Sequence, residues 1–204
     1  MTRVDFEYDH ATVIPVPGAD LGSGDVGAWA HDAAARLAGI HGFTPTQTDA
    51  LAGALARAQA AAVDDPSTNL LMYEPTSGAW GPIRLTLTGW EPDADEQRRY
   101  LWPASVLAPR VRHAPTAGLG EGCSSTVMDE DGRGSVRWLF QTTDASFFAV
   151  LGPMEAAGIA FAATRVEELL DSIRLGDAPW TASARFDVGS LIAPPEGAEG
   201  SWRL

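Results

Sequence analysis

Residues 123–142 of the chain read CSSTVMDEDGRGSVRWLFQT. Two strand-like arms flank the turn-forming stretch DEDGRG, which is the pattern of a β-hairpin. In the second arm Val136, Trp138 and Phe140 share one face, because side chains alternate across a strand. This stretch therefore predicts an antiparallel pair of strands.

More strands are predicted on both sides of this hairpin. Residues 83–88 alternate strictly in polarity, as in a strand with one buried and one wet face. Residues 145–151 (ASFFAVL) are apolar on both faces, which is typical of a central strand. Less regular patterns predict a strand over 5–16, a strand at 70–73, a polar loop or helical turn at 91–97, one or two strands within 100–113 and a weak strand at 181–188.

A pair of helices is predicted before the sheet. The first spans about residues 26–40 and begins after Asp25, a residue type that favours the N-cap. The second begins at Thr44 and runs to about residue 63. Its opening Thr-Pro-Thr-Gln places a cap, a proline at the first helical position and a glutamine three residues after the cap. Its apolar stripe is rich in alanine, so this helix can pack closely on a neighbour.

One amphipathic helix is predicted after the sheet, over 165–175, with Thr164 and Glu167 as a capping box and Gly176 as the stop. The order of elements predicts an α+β fold: a mostly antiparallel sheet, an N-terminal helix pair and a closing C-terminal helix. We expect one domain over residues 1–176. Residues 177–204, rich in Gly, Pro and acidic residues, are expected to form a tail, extended over the body or partly disordered.

The strand SFFAVL at 146–151 and the helix end LLDSIRL at 169–175 resemble the Mog1/PsbP-like proteins. Actinobacterial members, LpqN-type proteins among them, often end in such a strand followed by a helix that closes in D-S-I-R or a similar sequence. The resemblance implies a sheet flanked by helices and a non-enzymatic binding or accessory role. It brings no catalytic residues with it.

Composition excludes several classes of function. The net charge is −13, and all fourteen basic residues are Arg, so lysine-dependent cofactor and phosphate-loop chemistry is excluded. A pI near 4.5 argues against nucleic-acid and anionic-membrane partners, which need a basic patch. The single Cys123 fits a reducing compartment, and the first residues do not form a signal peptide, so we expect a cytoplasmic protein.

No motif predicts a catalytic centre, cofactor or metal site. Residues 22–27 spell G-x-G-x-x-G, but the dinucleotide motif needs a buried parallel strand directly before it. Residues 129–132 echo a calcium loop, but the twelfth position holds Phe140 instead of glutamate. Four histidines lack metal-ligand spacing: His10, His31, His41 and His113.

Two sets of side chains are candidates for binding. Residues 81–117 carry a net charge of +1 between two segments of −7 each, so they hold the one basic region. Its candidates for docking an anion or the acidic tail are Arg98, Arg99, Arg110 and Arg112. The candidates for anchoring a partner are tryptophans in loops or tail, namely Trp90, Trp102, Trp180 and Trp202.

These features predict a non-enzymatic accessory protein that acts through protein–protein contacts. The strong negative charge favours a partner with a basic surface. One alternative is a small-molecule binder or enzyme whose pocket lies between sheet and helix pair, near Cys123 and His113. Another is a self-assembling structural subunit that uses the alanine-rich helices and the tail.

Overall fold

A computed structural model describes residues 4–19, 21–22, 24–176 and 180–194. In that part of the chain the strands are β1 (Val4–Asp5), β2 (Val13–Val16), β3 (Thr68–Glu74), β4 (Ala79–Thr88), β5 (Arg110–His113), β6 (Gly122–Met128), β7 (Arg133–Gln141), β8 (Ser146–Glu155) and β9 (Arg174–Leu175). The helices are α1 (Val26–His41), α2 (Pro45–Ala62), α3 (Ala94–Leu101), α4 (Ala156–Ser172) and α5 (Val188–Ile192). Seven strands form one antiparallel sheet in the order β2-β3-β4-β8-β7-β6-β5, and β1 pairs with β9. The predicted α+β class is confirmed.

The hairpin that predicted the class is the β6–β7 pair. Thr126 faces Val136, and the register continues to Gly122 opposite Phe140. At the tip, the side chain of Asp129 accepts the backbone N–H of Arg133 at 2.8 Å. The local turn chemistry therefore closes the hairpin where the sequence predicts.

Helix α4 packs on one face of the sheet, which we call the first face. The largest cluster of buried side chains lies there. Trp138, Phe140 and Phe147 are fully buried there against Val166 and Leu170 of α4. The amphipathic character predicted for this helix is thus confirmed, with Val166, Leu169 and Leu170 buried against the sheet.

The second face carries two separate clusters. Leu37 of α1 and Leu55 of α2 are buried over β2 and β3. Leu101 of α3 and Leu191 of α5 are buried in another cluster, and these two helices lie over β5, β6 and β7. The second helical layer is therefore split into two covers.

The predicted start of α4 is wrong. The helix begins at Ala156, and the Thr164 hydroxyl donates to the Ala160 carbonyl inside it at 3.3 Å instead of capping it. The preceding sequence AAGIAFAA favours helix, and Ile159 is buried in the core. The helix also ends at Ser172, because the next residues pair with β1.

Other expectations are partly confirmed and partly corrected. The strand predicted over 5–16 is two short strands, separated by a turn in which the Thr12 N–H donates to the Asp9 carbonyl. Residues 94–101 form α3, whose N-cap Asp93 makes a reciprocal box with Glu96. The segment 100–113 holds one strand, at 110–113, in agreement with the expectation of one or two strands. Residues 181–187 do not form the expected strand and lead into α5.

The helix-pair prediction is confirmed in its main features. Thr44 accepts the N–H of Gln47, and the Gln47 side chain accepts the Thr44 N–H, which completes the box. Asp25 precedes α1, but its side chain makes no capping hydrogen bond. Beyond α4, residues 180–194 pack on the sheet, with Phe186 and Leu191 buried.

Candidate functional site

The described part of the chain leaves an uncovered strip in the middle of the second face. Helix α2 contacts β2 and β3, and α3 contacts β6 and β7, so β4 and β8 lie between them. The two covers are centred four strand spacings apart, or about 19 Å. Packed helices lie 8–10 Å apart, so this gap is about one helix wide. We call it the sheet groove, with β4 and β8 as floor and α2 and α3 as walls.

The floor of the sheet groove combines apolar and charged side chains. Pro82 and Arg84 of β4 are exposed, and Thr86 is half-buried. On β8, Val150 and Phe148 are also only half-buried. A cavity of about 290 Å³ lies between this floor and α2. Pro82, Phe148 and Val150 are thus apolar side chains of the floor that the described chain leaves partly open to solvent.

The α2 wall is made of small side chains. Ala50, Ala54, Ala58 and Ala61 line the cavities along it. These residues recur at intervals of three and four, so they share one face of the helix. Because alanine is short, a second polypeptide backbone can approach this wall closely.

An aromatic pocket lies along the same wall, near the start of β4. Phe43, Tyr73 and Trp80 line a cavity of about 250 Å³ together with the first turns of α2. The centroids of the Tyr73 and Trp80 rings are 4.5 Å apart, and those of Phe43 and Tyr73 are 5.1 Å apart. The rings therefore form a packed apolar lining of this pocket, which is suited to bind an apolar side chain.

The α3 wall positions a second arginine. Arg137 of β7 donates to the Tyr100 carbonyl at 3.0 Å, and its guanidinium lies 5.6 Å from the centroid of the Tyr100 ring. The Tyr100 hydroxyl donates to the Ala149 carbonyl at 3.2 Å. Burial raises the pKa of Tyr100, and the positive charges of Arg137 and Arg84 oppose that rise. Tyr100 is thus a neutral, fixed support for Arg137.

Arg84 has one acidic neighbour in the groove. Its guanidinium lies 3.6 Å from the Asp65 carboxylate, and the side chain of Arg84 is 55% exposed. Burial alone would raise the pKa of Asp65, but hydrogen bonds from Ser67 and the charge of Arg84 outweigh it, so the pKa is lowered. Asp65 is therefore a carboxylate beside an accessible guanidinium.

The arginines predicted as a docking site lie on two faces of the sheet. They are Arg98, Arg99, Arg110 and Arg112, and all but the first are exposed. Arg98 donates to the Ser190 carbonyl at 2.8 Å on the second face. Arg112 forms an ion pair with Glu167 of α4 on the first face. The structure thus separates Arg98 from Arg112.

The predicted anchor tryptophans have different surroundings. Trp102 donates to the Leu191 carbonyl at 2.8 Å, and Trp180 packs against the core on the α4 side. Trp90 is 49% exposed and stacks on Phe148 with ring centroids 6.5 Å apart, so it lies at one end of the sheet groove. Trp202 lies outside the described residues.

The surroundings of Cys123 do not favour a reactive thiol. Cys123 is fully buried, and burial, with a smaller effect of the Glu121 carboxylate, raises the pKa of its thiol to about 12. Its cross-strand neighbour His113 pairs with Glu121. Within the described residues, no group of three His, Cys, Asp or Glu side chains could hold a metal ion.

Sequence reasoning missed Arg84, Arg137 and Tyr100 as groove residues. The alternation of residues 83–88 indicated that Arg84 lies on the wet face, but it did not reveal that Arg137 shares that face.

Comparisons with protein-family models and with curated proteins found no match to this chain. No helix in the described ranges is both long and apolar enough to cross a bilayer.

Proposed function

We propose that this chain is a non-enzymatic binding or accessory protein that holds a segment of a protein partner in the sheet groove. The observation that carries the proposal is the groove itself: a gap one helix wide, with a partly exposed floor of apolar and charged side chains between two walls. Hydrophobic grooves of this kind bind partner segments through apolar side chains and exclude water from them.

Two further observations support a polypeptide over a small ligand. The cavities at Trp80 and at Arg84 lie on the same strand, four residues apart, which corresponds to about 13 Å. Helix α2 borders both cavities. An elongated occupant can fill both, whereas a compact molecule fills one.

The cellular setting, the charge of the partner and the family that the sequence led us to expect are part of the same proposal. The single buried Cys123 supports a reducing, cytoplasmic setting. The net charge of −13 supports a partner with basic surroundings. Membership of the Mog1/PsbP-like proteins is also proposed, supported by the order of elements from the β6–β7 hairpin to α4.

Ala61 and Ala60 provide a matched pair of variants for testing the groove. Both are exposed alanines on α2, but only Ala61 lines the 290 Å³ cavity. Ala61→Trp should fill the groove, and Ala60→Trp should leave it open. Both should fold normally, because exposed helix positions tolerate substitution within about 0.5 kcal/mol.

The measurement is quantitative affinity capture from a lysate of the source organism with the wild type and both variants. We expect at least one protein to be retained by the wild type and Ala60→Trp, and lost with Ala61→Trp. If the partner is a second copy, light scattering should show a dimer that Ala61→Trp alone dissociates. An identical set of retained proteins and an identical molar mass for all three chains would contradict the proposal.

A further inference from the structure

Two guanidinium groups lie in one row across the sheet groove, one on its floor and one beside its α3 wall. Arg84 of β4 and Arg137 of β7 both face Val150 of β8, one from each side. With strands about 4.8 Å apart, their Cα atoms are about 10 Å apart. Directly opposed residues point to the same face, so both side chains belong to the groove.

The positive charge of this row exceeds the negative charge that pairs with it. Among the described residues, Asp65 is the carboxylate that pairs with Arg84, and at 3.6 Å the contact is longer than a good hydrogen bond. Arg137 instead donates to a neutral carbonyl and lies over the Tyr100 ring. The row can therefore accept one more carboxylate.

The second guanidinium is held in place before any partner binds. Tyr100 is fixed by its hydroxyl bond to Ala149, and its ring meets Phe148 at 77° with centroids 5.1 Å apart. Arg137 rests on this fixed ring. A preorganised guanidinium loses little side-chain entropy on binding, so it favours recognition of a carboxylate.

The width of the gap and the charge of the row together specify an occupant. On the basis of the proposed function, we infer that the groove binds an amphipathic helix of a protein partner, with one acidic side chain bridging Arg84 and Arg137. An apolar side chain of the same helix enters the aromatic pocket at Trp80. The two sites are about 13 Å apart, which corresponds to almost nine residues of helix at a rise of about 1.5 Å per residue. The nearest spacings that keep both anchors on one helix face are eight residues, or about 12 Å, and seven residues, or about 10.5 Å.

A helix-biased phage library supplies the probe. Peptides of 20 residues, randomised on one face, are selected on the full chain, and the best is synthesised for calorimetry. We expect it to carry Asp or Glu seven or eight residues from an aromatic or aliphatic residue. Changing that acid to its amide should weaken the Kd about tenfold, the usual effect of one charge-assisted contact.

Variants of the protein identify the contact. Arg137→Gln and Arg84→Gln should each weaken the Kd about tenfold, and Arg137→Lys should retain part of the affinity because it keeps the charge. Arg36→Gln, at an exposed position of α1 outside the groove walls, is the matched control and should leave the Kd unchanged. With Arg137→Gln, the amide change in the peptide should cause little further loss, which shows that the two groups act as a pair.

The outcomes separate this inference from the proposed function. Peptides that Ala61→Trp displaces, but that show no acidic preference and no effect of Arg137→Gln or Arg84→Gln, overturn the acidic bridge and leave the groove as a binding site. A library that yields no peptide sensitive to Ala61→Trp overturns both. Equal thermal unfolding of all variants is required, so that a loss of affinity is not a loss of fold.

Discussion

Glu74 offers a sharp test of how the aromatic end of the groove is held. It ends β3, next to Tyr73, and its side chain is fully buried. The carboxylate accepts the backbone N–H of Thr76 at 3.0 Å and the N–H and hydroxyl of Ser77 at 2.6 and 2.7 Å. These bonds fix the turn that leads from Tyr73 to Trp80.

Glu74→Gln keeps the shape of the side chain but removes its charge. The amide carries an NH₂ group in place of one carboxylate oxygen. A hydrogen-bond donor then faces the N–H and hydroxyl donors of the 75–78 turn. The loss of one charge-assisted hydrogen bond and the introduction of one mismatched donor should together lower the free energy of unfolding by about 2 kcal/mol. In a chain of this length that corresponds to a fall in Tm of about 4–8 °C. Thermal and urea unfolding at neutral pH measure it, with the exposed Glu130→Gln as control.

The effect should depend on pH. Burial by itself raises the pKa of Glu74, but the hydrogen bonds from Ser77 and Thr76 outweigh it and lower the pKa below its ordinary value of 4.5. The stabilisation is therefore complete above that value and is lost as pH falls through the folded-state pKa. Wild type and Glu74→Gln should converge in stability under acid conditions. Equal stability at neutral pH, or a difference that persists unchanged into acid, would refute the reasoning.

Two further predictions concern the buried β6 strand. Burial raises the thiol pKa of Cys123 to about 12, so this thiol should react slowly with a thiol reagent at mildly alkaline pH. We expect the reaction to be at least about 100-fold slower in the native chain than in urea. Equal rates would show that the thiol is accessible. Gly122→Ala would place a Cβ 2.3 Å from Cε1 of Phe140 and 2.8 Å from the Ala114 carbonyl oxygen, so urea unfolding should show a loss of about 3 kcal/mol. Gly39→Ala in α1, where the added Cβ meets open space, should instead be neutral or slightly stabilising, and similar losses in both variants would contradict the steric explanation.

Local chemistry explains which elements the sequence predicted well. The start of α2 was correct because Thr44 and Gln47 satisfy each other's backbone groups within four residues. The β6–β7 hairpin was correct because its turn residues are adjacent. Thr164 and Glu167 showed the same local pattern as a cap, but packing of Ile159 on the sheet extends α4 through it. Tertiary burial can therefore override a valid capping signal.

The candidate site could not be predicted, because it depends on the order of strands. Arg84 and Arg137 are 53 positions apart in the sequence and meet only because β8 inserts between β4 and β7. Conversely, Arg98 and Arg112 are close in sequence but belong to opposite faces. Hydrophobic periodicity reports which face of a strand is wet, and it does not report which strands become neighbours.

The charge of the whole chain and the charge of the groove act at different ranges, and together they narrow the choice of partner. The net charge of −13 attracts a basic partner during approach, whereas Arg84 and Arg137 select an acidic side chain at contact. A uniformly acidic helix would be repelled before it reached the groove. A uniformly basic helix would approach but place positive charge against Arg137, which costs affinity. The partner that satisfies both conditions carries an acid on its buried face and basic residues outside the groove, and this pattern can be recognised in a candidate sequence.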